Sequence, residues 1–384
     1  MTDSPAKSGP LRGIKVVELA GIGPGPYAGQ LLADMGADVV VIDRPGGGLP
    51  KAIDGRGKRS IVLDLKKPEA VEALLKLVET ADILIEGLRP GVTERMGVGP
   101  DACHVVNPGL IYGRMTGWGQ TGPWSQMAGH DLNYIGMTGV LNAIGKDGQP
   151  PVPPLNMVGD FGGGSMFLVT GILAALIERG RTGKGNIVDA AIVDGTHSLM
   201  SFVHGMAGLG QWRTAREGNL LDGAAPFYRC YITADGKFMA VGCIEPQFFA
   251  AMMERLPIDA EAYGGQHDRT AFAKQHEMLE DVFATKTRDE WEAIFAGTDA
   301  CVTPVLDYVE AASHPANAER HTVVEDGRWL HPQVAPRLAT QALATHFEIA
   351  IKGGDYAAIL AEVGLTESEI SQLIAAGAVV ANKD

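Results

Sequence analysis

The chain has 384 residues, 46% of them hydrophobic and 20% charged; that balance excludes disorder over most of its length, and at roughly 150 residues per domain it suggests two domains. Thirty-two Lys and Arg against 46 Asp and Glu leave a net charge of −14, the reverse of what a nucleic-acid binder carries. Fifty glycines with no three-residue period belong to turns and close backbone approaches, not to a collagen helix.

Residues 14–20 (IKVVELA) read as a strand, followed by a Gly/Pro turn and a helix over about 27–35. DVVVID at 38–43 is a second strand. A third, 61–65, follows the basic turn Gly57-Lys58-Arg59, and Pro68 opens a helix running to about Glu79. ADILIE at 81–86 and the run 110–115 add two more strands, the latter ahead of the Gly-rich GWGQTGPW. Such alternation predicts βαβ units and a parallel sheet, and runs like VVVI predict one covered on both faces. The apolar stretch 165–177 is too short to span a bilayer and reads as a buried core helix; no membrane partner is expected. NIVDAAI at 186–192 reads as a further strand.

From about residue 225 the texture changes. FYRCYITADGKFMAVGC has a hairpin pattern turning at Asp235-Gly236. Helices follow around 246–256, 270–284 and 288–296. Thr366-Glu-Ser-Glu369 is a capping box ahead of a C-terminal helix. The division expected is a large domain of 1–224 with 321–384 and a smaller α+β domain of 225–320. Cys103, Cys230, Cys243 and Cys301 make neither a CxxC pair nor a disulfide framework, which points to a reducing cytoplasm and to no metal site. The first ten residues lack the apolar core of a leader, and the terminal VVANKD is no peroxisomal address.

Five constellations could carry chemistry. Gly21-Ile-Gly23-Pro-Gly25-Pro26 stands where a dinucleotide fingerprint would, with Asp43 near the ribose position, but Pro26 replaces the third glycine and two prolines remove amide donors. It reads as a tight β–α turn or as the lining of a crevice. Basic residues recur at strand ends: Arg44, Lys58, Arg59, Lys66, Lys67, Arg89 and Arg95. Their common placement suits a phosphate-bearing ligand, although each alone reads equally as a solvated charge. His130 follows a Gly-rich loop after a strand, where open sheets place active sites; a lone histidine is more often structural. Asp160, ahead of three glycines, reads as a helix N-cap or as a crowded carboxyl with a raised pKa, fit for acid–base work. Glu245, before Pro246 at the end of a strand, reads first as a surface residue.

The chain as a whole resembles the family III CoA-transferase superfamily, and within it the α-methylacyl-CoA racemases. The resemblance rests on Gly13-Ile-Lys-Val-Val-Glu-Leu-Ala20, the turn at 21–26, Gly36-Ala-Asp-Val-Val-Val-Ile-Asp-Arg-Pro45, Glu86-Gly-Leu-Arg-Pro-Gly-Val-Thr-Glu-Arg95, Met115-Thr-Gly-Trp-Gly-Gln-Thr-Gly-Pro123, Gly129-His-Asp131, Gly159-Asp-Phe-Gly-Gly-Gly164 and Ile244-Glu-Pro246. It implies a Rossmann-like large domain with a parallel sheet, a smaller α+β domain, and a homodimer of interlocked rings. It implies that Arg44, Leu63, Asp64, Leu65, Lys66, Gly87, Leu88, Arg89, Arg95, Gly129, Leu132, Asn133 and Tyr134 contact an acyl-CoA thioester. His130 and Asp160 are then the catalytic pair, and Glu245 supports His130. The superfamily's transferases keep the aspartate and lack the histidine, so Gly129-His130-Asp131 is the discriminating element.

The chemistry implied is inversion of the carbon alpha to the thioester. One face needs a base and the other an acid. An imidazole ordinarily titrates near neutrality, whereas an aspartate must be raised by burial or a like charge to keep its proton. Glu245 or Asp131 would fix the imidazole tautomer. Amides of the Gly-rich loops or of a helix N-terminus would hold the enolate oxygen. No cofactor is called for, because CoA is the substrate's own handle. The alternatives are a CoA-transferase with Asp160 as nucleophile and a non-catalytic acyl-CoA binder. The methionines Met127, Met137, Met157, Met166, Met200 and Met206 read as core residues or as an adaptable acyl groove.

Overall fold

The computed structural model describes residues 9–382; residues 1–8 and 383–384, where parts of the leader and address readings fall, lie outside them. The chain forms two units. One comprises Met1–Thr138, Pro154–Met200 and His321–Asp384, and the other Gly139–Pro153 and Ser201–Arg320. The boundary expected at 225 therefore falls at Ser201, and 139–153 leaves the large domain. Hydrogen bonds explain the shift: the Arg216 guanidinium donates to the carbonyls of Lys146, Asn142 and Gln149, stitching the two segments together.

The first unit is built on a six-stranded parallel sheet in the order β3-β2-β1-β4-β5-β6. Its strands are β1 (Lys15–Leu19), β2 (Asp38–Asp43), β3 (Arg59–Val62), β4 (Ile83–Glu86), β5 (Ile111–Thr116) and β6 (Asn186–Ala191). The helices between them include α1 (Pro24–Asp34), α2 (Pro68–Glu79), α3 (Val92–Arg95), α4 (Asp131–Met137) and α5 (Met166–Thr182), with α6 (Ile192–Leu199) after β6. Strand register sorts the side chains. Val16 pairs with Val39 and Ile83, and Val17 with Val40 and Leu84. The first set packs with Leu32 of α1 and with Leu168 and Ile172 of α5; the second packs with Leu74 and Leu77 of α2. Both faces are thus covered, which is why the strands are continuously apolar.

Order reverses between β1 and β4, and the carboxyl ends of these strands open the crevice where sheets of this kind take ligands. Lys58 and Arg59 do not reach it, contrary to their expected role. They stand at the amino end of β3, where the Lys58 ammonium is buried 2.7 Å from Glu18 and Arg59 pairs with Asp38 and Glu362.

The apolar run 165–177 proves to be the middle of a 26-residue helix, Met157–Thr182, long and apolar enough by composition to cross a bilayer. Its first part, Met157–Ser165, is π-helical, and α5 continues it. Leu168, Val169 and Ile172 are buried, while Met166 and Ile177 are exposed, so the core-helix reading holds for one face only.

In the second unit, α7 (Ser201–Gly208) is followed by an antiparallel sheet of β7 (Tyr228–Ile232), β8 (Phe238–Gly242) and β9 (Val302–Val305). The β7–β8 turn is Asp235-Gly236, with Gly236 at φ +75°. Helices α8 (Pro246–Met253), α9 (Phe272–Phe283) and α10 (Arg288–Phe295) pack over Tyr231, Met239 and Val241 around the buried Trp291, whose indole donates to the Phe283 carbonyl. Back in the first unit, the hairpin β10 (Val323–Asp326) and β11 (Trp329–Pro332) precedes α11 (Tyr356–Glu362) and α12 (Glu367–Ala375). Thr366 and Glu369 form the expected capping box on α12.

Candidate active site

A cavity of about 550 Å³ opens at the carboxyl ends of β1, β4 and β5. Ile22, Gly23 and Pro24 form one wall, and Gly87, Leu88 and Arg89 another. Thr116, Gly117 and Trp118 continue the lining, and His130, Tyr134, Asn156 and Asp160 project from the segments that follow. The sheet thus brings together two residues that stand thirty apart in sequence, His130 and Asp160.

His130 is the N-cap of α4, in extended backbone conformation. Its amide donates to Asn133 Oδ1 at 3.0 Å, and its carbonyl accepts the Asn133 and Tyr134 amides. The Tyr134 hydroxyl donates to the Gly129 carbonyl at 2.5 Å, and its ring packs edge-on against Trp118, with centroids 4.8 Å apart. The peptide leading into His130 is therefore held from both sides.

Asp160 is not an N-cap. It lies inside the π-helical segment, which begins after Asn156. Of the three glycines behind it, Gly163 admits another backbone: a Cβ on Gly195 would overlap the Gly163 carbonyl oxygen, and one on Gly163 would overlap Thr196. Helix α6 thus presses directly on this segment. Ser165 Oγ lies 2.8 Å from the Pro24 carbonyl and 3.1 Å from that of Asp160, which ties the turn after β1 to the same segment. Gly23, at φ +70°, stands so close that a Cβ there would lie 2.9 Å from Asp160 Oδ2.

The role expected for Asp131 changes. Its Oδ1 accepts the Asp160 amide at 2.6 Å, so it also serves the Asp160 segment, while Oδ2 is buried without a hydrogen-bond partner among the described residues. Burial pushes the Asp160 carboxyl up to about 6, and the neighbouring Asp131 charge adds to the rise against the opposing pull of Asn156 and His130. Asn156, which lines the same cavity and whose side chain works to lower the Asp160 pKa, was not foreseen. Its position after Pro153-Pro154-Leu155 carries no sequence signal.

A second cavity, of about 560 Å³, holds Arg44, Leu63, Asp64, Leu65 and Lys66 with Leu88. A third, of about 530 Å³, shares Arg44 with it and Gly87, Leu88 and Arg89 with the first. Gly129 and Tyr134 line the first cavity. Leu132 and Asn133 are exposed on α4, and Arg95 is exposed on α3 beside Gly91. Lys67 is tied to the Ala376 carbonyl. Glu245 belongs to the second unit, at the exposed N-cap of α8, where its carbonyl accepts the Phe248 and Phe249 amides.

Residues 11–349 match the family model described as CoA-transferase family III. The chain belongs to that family. This family III member is 45% identical over 365 residues to the α-methylacyl-CoA racemase of Mus musculus, covering 94% of this chain and 96% of the mouse protein. It is 44% identical to the Homo sapiens protein of the same name over 97% and 98% of the two chains. In structure it resembles a CAIB/BAIF family protein from Brucella suis, with a TM-score of 0.81 and 26% identity, covering 93% of this chain and 100% of that one.

Proposed function

We propose that this chain is an α-methylacyl-CoA racemase that interconverts the (R)- and (S)-2-methylacyl-CoA thioesters by 1,1-proton transfer. The observation that carries the reading is the pair His130 and Asp160 on one cavity, with the carboxyl raised to about 6 beside Asp131. An aspartate so placed is protonated in a far larger fraction of molecules near neutral pH than an ordinary aspartate, and that fraction can give its proton to a carbanion. In one direction neutral His130 removes the α-hydrogen and Asp160 returns one to the opposite face; in the other the roles exchange. Either direction starts with a single proton on the pair.

The intermediate is an enolate, whose oxygen needs preorganised donors. The first-turn amides of α4, at Asp131 and Leu132, have no acceptor within their own helix and begin at His130 itself, which makes them the donors proposed. Arg44 and Lys66 in the second cavity would take the phosphates of CoA, and residues 87–89 would flank the pantetheine arm. Binding of this remote handle orients the reacting carbon, and the reaction so written calls for no cofactor. A homodimer is also part of this reading: α7 buries none of its residues in the isolated chain although it carries Phe202, Val203 and Met206, an apolar face that a second copy would cover.

A CoA-transferase would use Asp160 as a nucleophile, and the family description keeps that reading in play. The 45% and 44% identity to α-methylacyl-CoA racemases over nearly the whole chain favours proton transfer. The deciding experiment is incubation of a single enantiomer of a 2-methylacyl-CoA in deuterated water. Racemisation with α-deuterium incorporation supports the reading. A covalent CoA adduct on Asp160, with label passing to a free acid and no α-exchange, would replace it.

A further inference from the structure

Glu86 and Arg114 line none of the three cavities, yet they stand directly behind the wall that all three share. Glu86 ends β4 and is 1% exposed. One carboxylate oxygen accepts the Leu88 amide at 2.7 Å; the other accepts Arg114 Nε at 3.2 Å from the neighbouring strand β5, where the two residues are in register. Arg114 then reaches on, its Nη2 lying 2.8 Å from Glu94 Oε1 on α3. Glu86 stands just before the loop that carries Leu88 and Arg89, and Glu94 just after it, so Arg114 closes the two ends of the loop like a clasp. On its outer side the loop meets the segment ahead of His130, where Gln126 Nε2 donates to the Pro90 carbonyl at 3.1 Å.

We propose that Glu86 and Arg114 are positioning residues for substrate binding: their buried clasp fixes the 87–89 wall, and with it the Arg89 side chain, in the shape that accepts the CoA arm. The inference rests on the acyl-CoA reading given above. The geometry favours this role over a purely structural one, because the Glu86 carboxylate spends one oxygen on an amide inside the ligand-facing loop. A carboxylate placed only to pair Arg114 would not need that bond. Buried ion pairs also add little net stability compared with well-packed apolar residues, so stability alone does not account for the pair.

The test compares Glu86→Gln, which keeps an acceptor for the Leu88 amide, with Glu86→Met, which removes it. Free CoA is titrated calorimetrically, α-proton exchange supplies KM and kcat, and hydrogen exchange follows the peptide containing Leu88. Because Glu86→Met strands Arg114, the double variant Glu86→Met/Arg114→Met is run beside it with thermal unfolding as a check on folding. In the folded Met variants the clasp predicts a roughly ten-fold weaker Kd for CoA and a parallel rise in KM, with kcat within about three-fold of wild type. The Leu88 amide loses protection, and Glu86→Gln stays within about three-fold throughout. Folded Met variants with unchanged CoA affinity and an unchanged Leu88 amide would overturn the proposal, as would a Gln variant as weak as the Met variant. Wild-type protein that bound no CoA would instead remove the acyl-CoA reading, and the clasp would then be judged on Leu88 protection alone.

Discussion

Asp131 Oδ1 accepts the backbone amide of Asp160 at 2.6 Å, so the residue after the candidate base holds the residue that carries the candidate acid. That single bond places a negative charge against Asp160 and anchors the π-helical turn on which it rides. One side chain therefore helps to position Asp160 and adds to the rise that burial gives its pKa.

His130→Ala and Asp160→Ala are each expected to lose at least about a thousand-fold of α-proton exchange, since each removes one of the two proton carriers. CoA affinity stays within a few-fold because neither residue lines the Arg44 and Lys66 cavity. Exchange measured by mass spectrometry in deuterated water, beside calorimetric CoA binding, checks both halves. Full exchange in either variant would remove that residue from the pair.

Asp131→Asn keeps an oxygen for the Asp160 amide and removes the charge. The charge raises the Asp160 pKa above its ordinary value, so its loss lowers the pKa. We expect the Asp160 titration, followed by carboxyl ¹³C shift, to move down by about one unit. The rate in the direction that uses Asp160 as acid falls at neutral pH, because less of the carboxyl is protonated there. A midpoint that stays or rises would show that burial alone sets the value.

Gly23→Ala forces a side chain into left-handed backbone at φ +70°, with its Cβ 2.9 Å from Asp160 Oδ2. The strain is expected to cost about 1–2 kcal/mol of stability, and displacement of the carboxyl to cost roughly a hundred-fold in kcat. Chemical denaturation and α-exchange kinetics measure the two effects separately.

Gly195→Ala acts away from the reacting groups, by driving a methyl into the Gly163 carbonyl. A loss of about 2–4 kcal/mol is expected as α6 is pushed off the π-helical segment, read as a lower denaturant midpoint. A stability equal to wild type would mean that the two backbones do not meet so closely.

Much of the fold was legible from residues alone. DVVVID and ADILIE are apolar on both sides because α1 and α5 cover one face of the sheet and α2 the other, and that demand is written locally in the strands. Asp235-Gly236 and the Thr366/Glu369 box were legible for the same reason: a turn or a cap is settled by residues within four of one another. The motifs at 21–26, 86–95 and 115–123 likewise fall at the carboxyl ends of β1, β4 and β5, where the crevice opens. What the sequence could not specify depends on contacts between distant segments. The glycines 162–164 announce a close approach, but only the folded chain places Gly195 against Gly163. Lys58 reads as a cation free for phosphate until Glu18, forty residues away, is found against it. Asp131 stands beside the imidazole in sequence, yet only the fold brings the Asp160 amide to its Oδ1 across 29 residues of chain. Residue type supplies the charge and the proton; which neighbour receives them is decided by packing, and at this site packing sets the acidity.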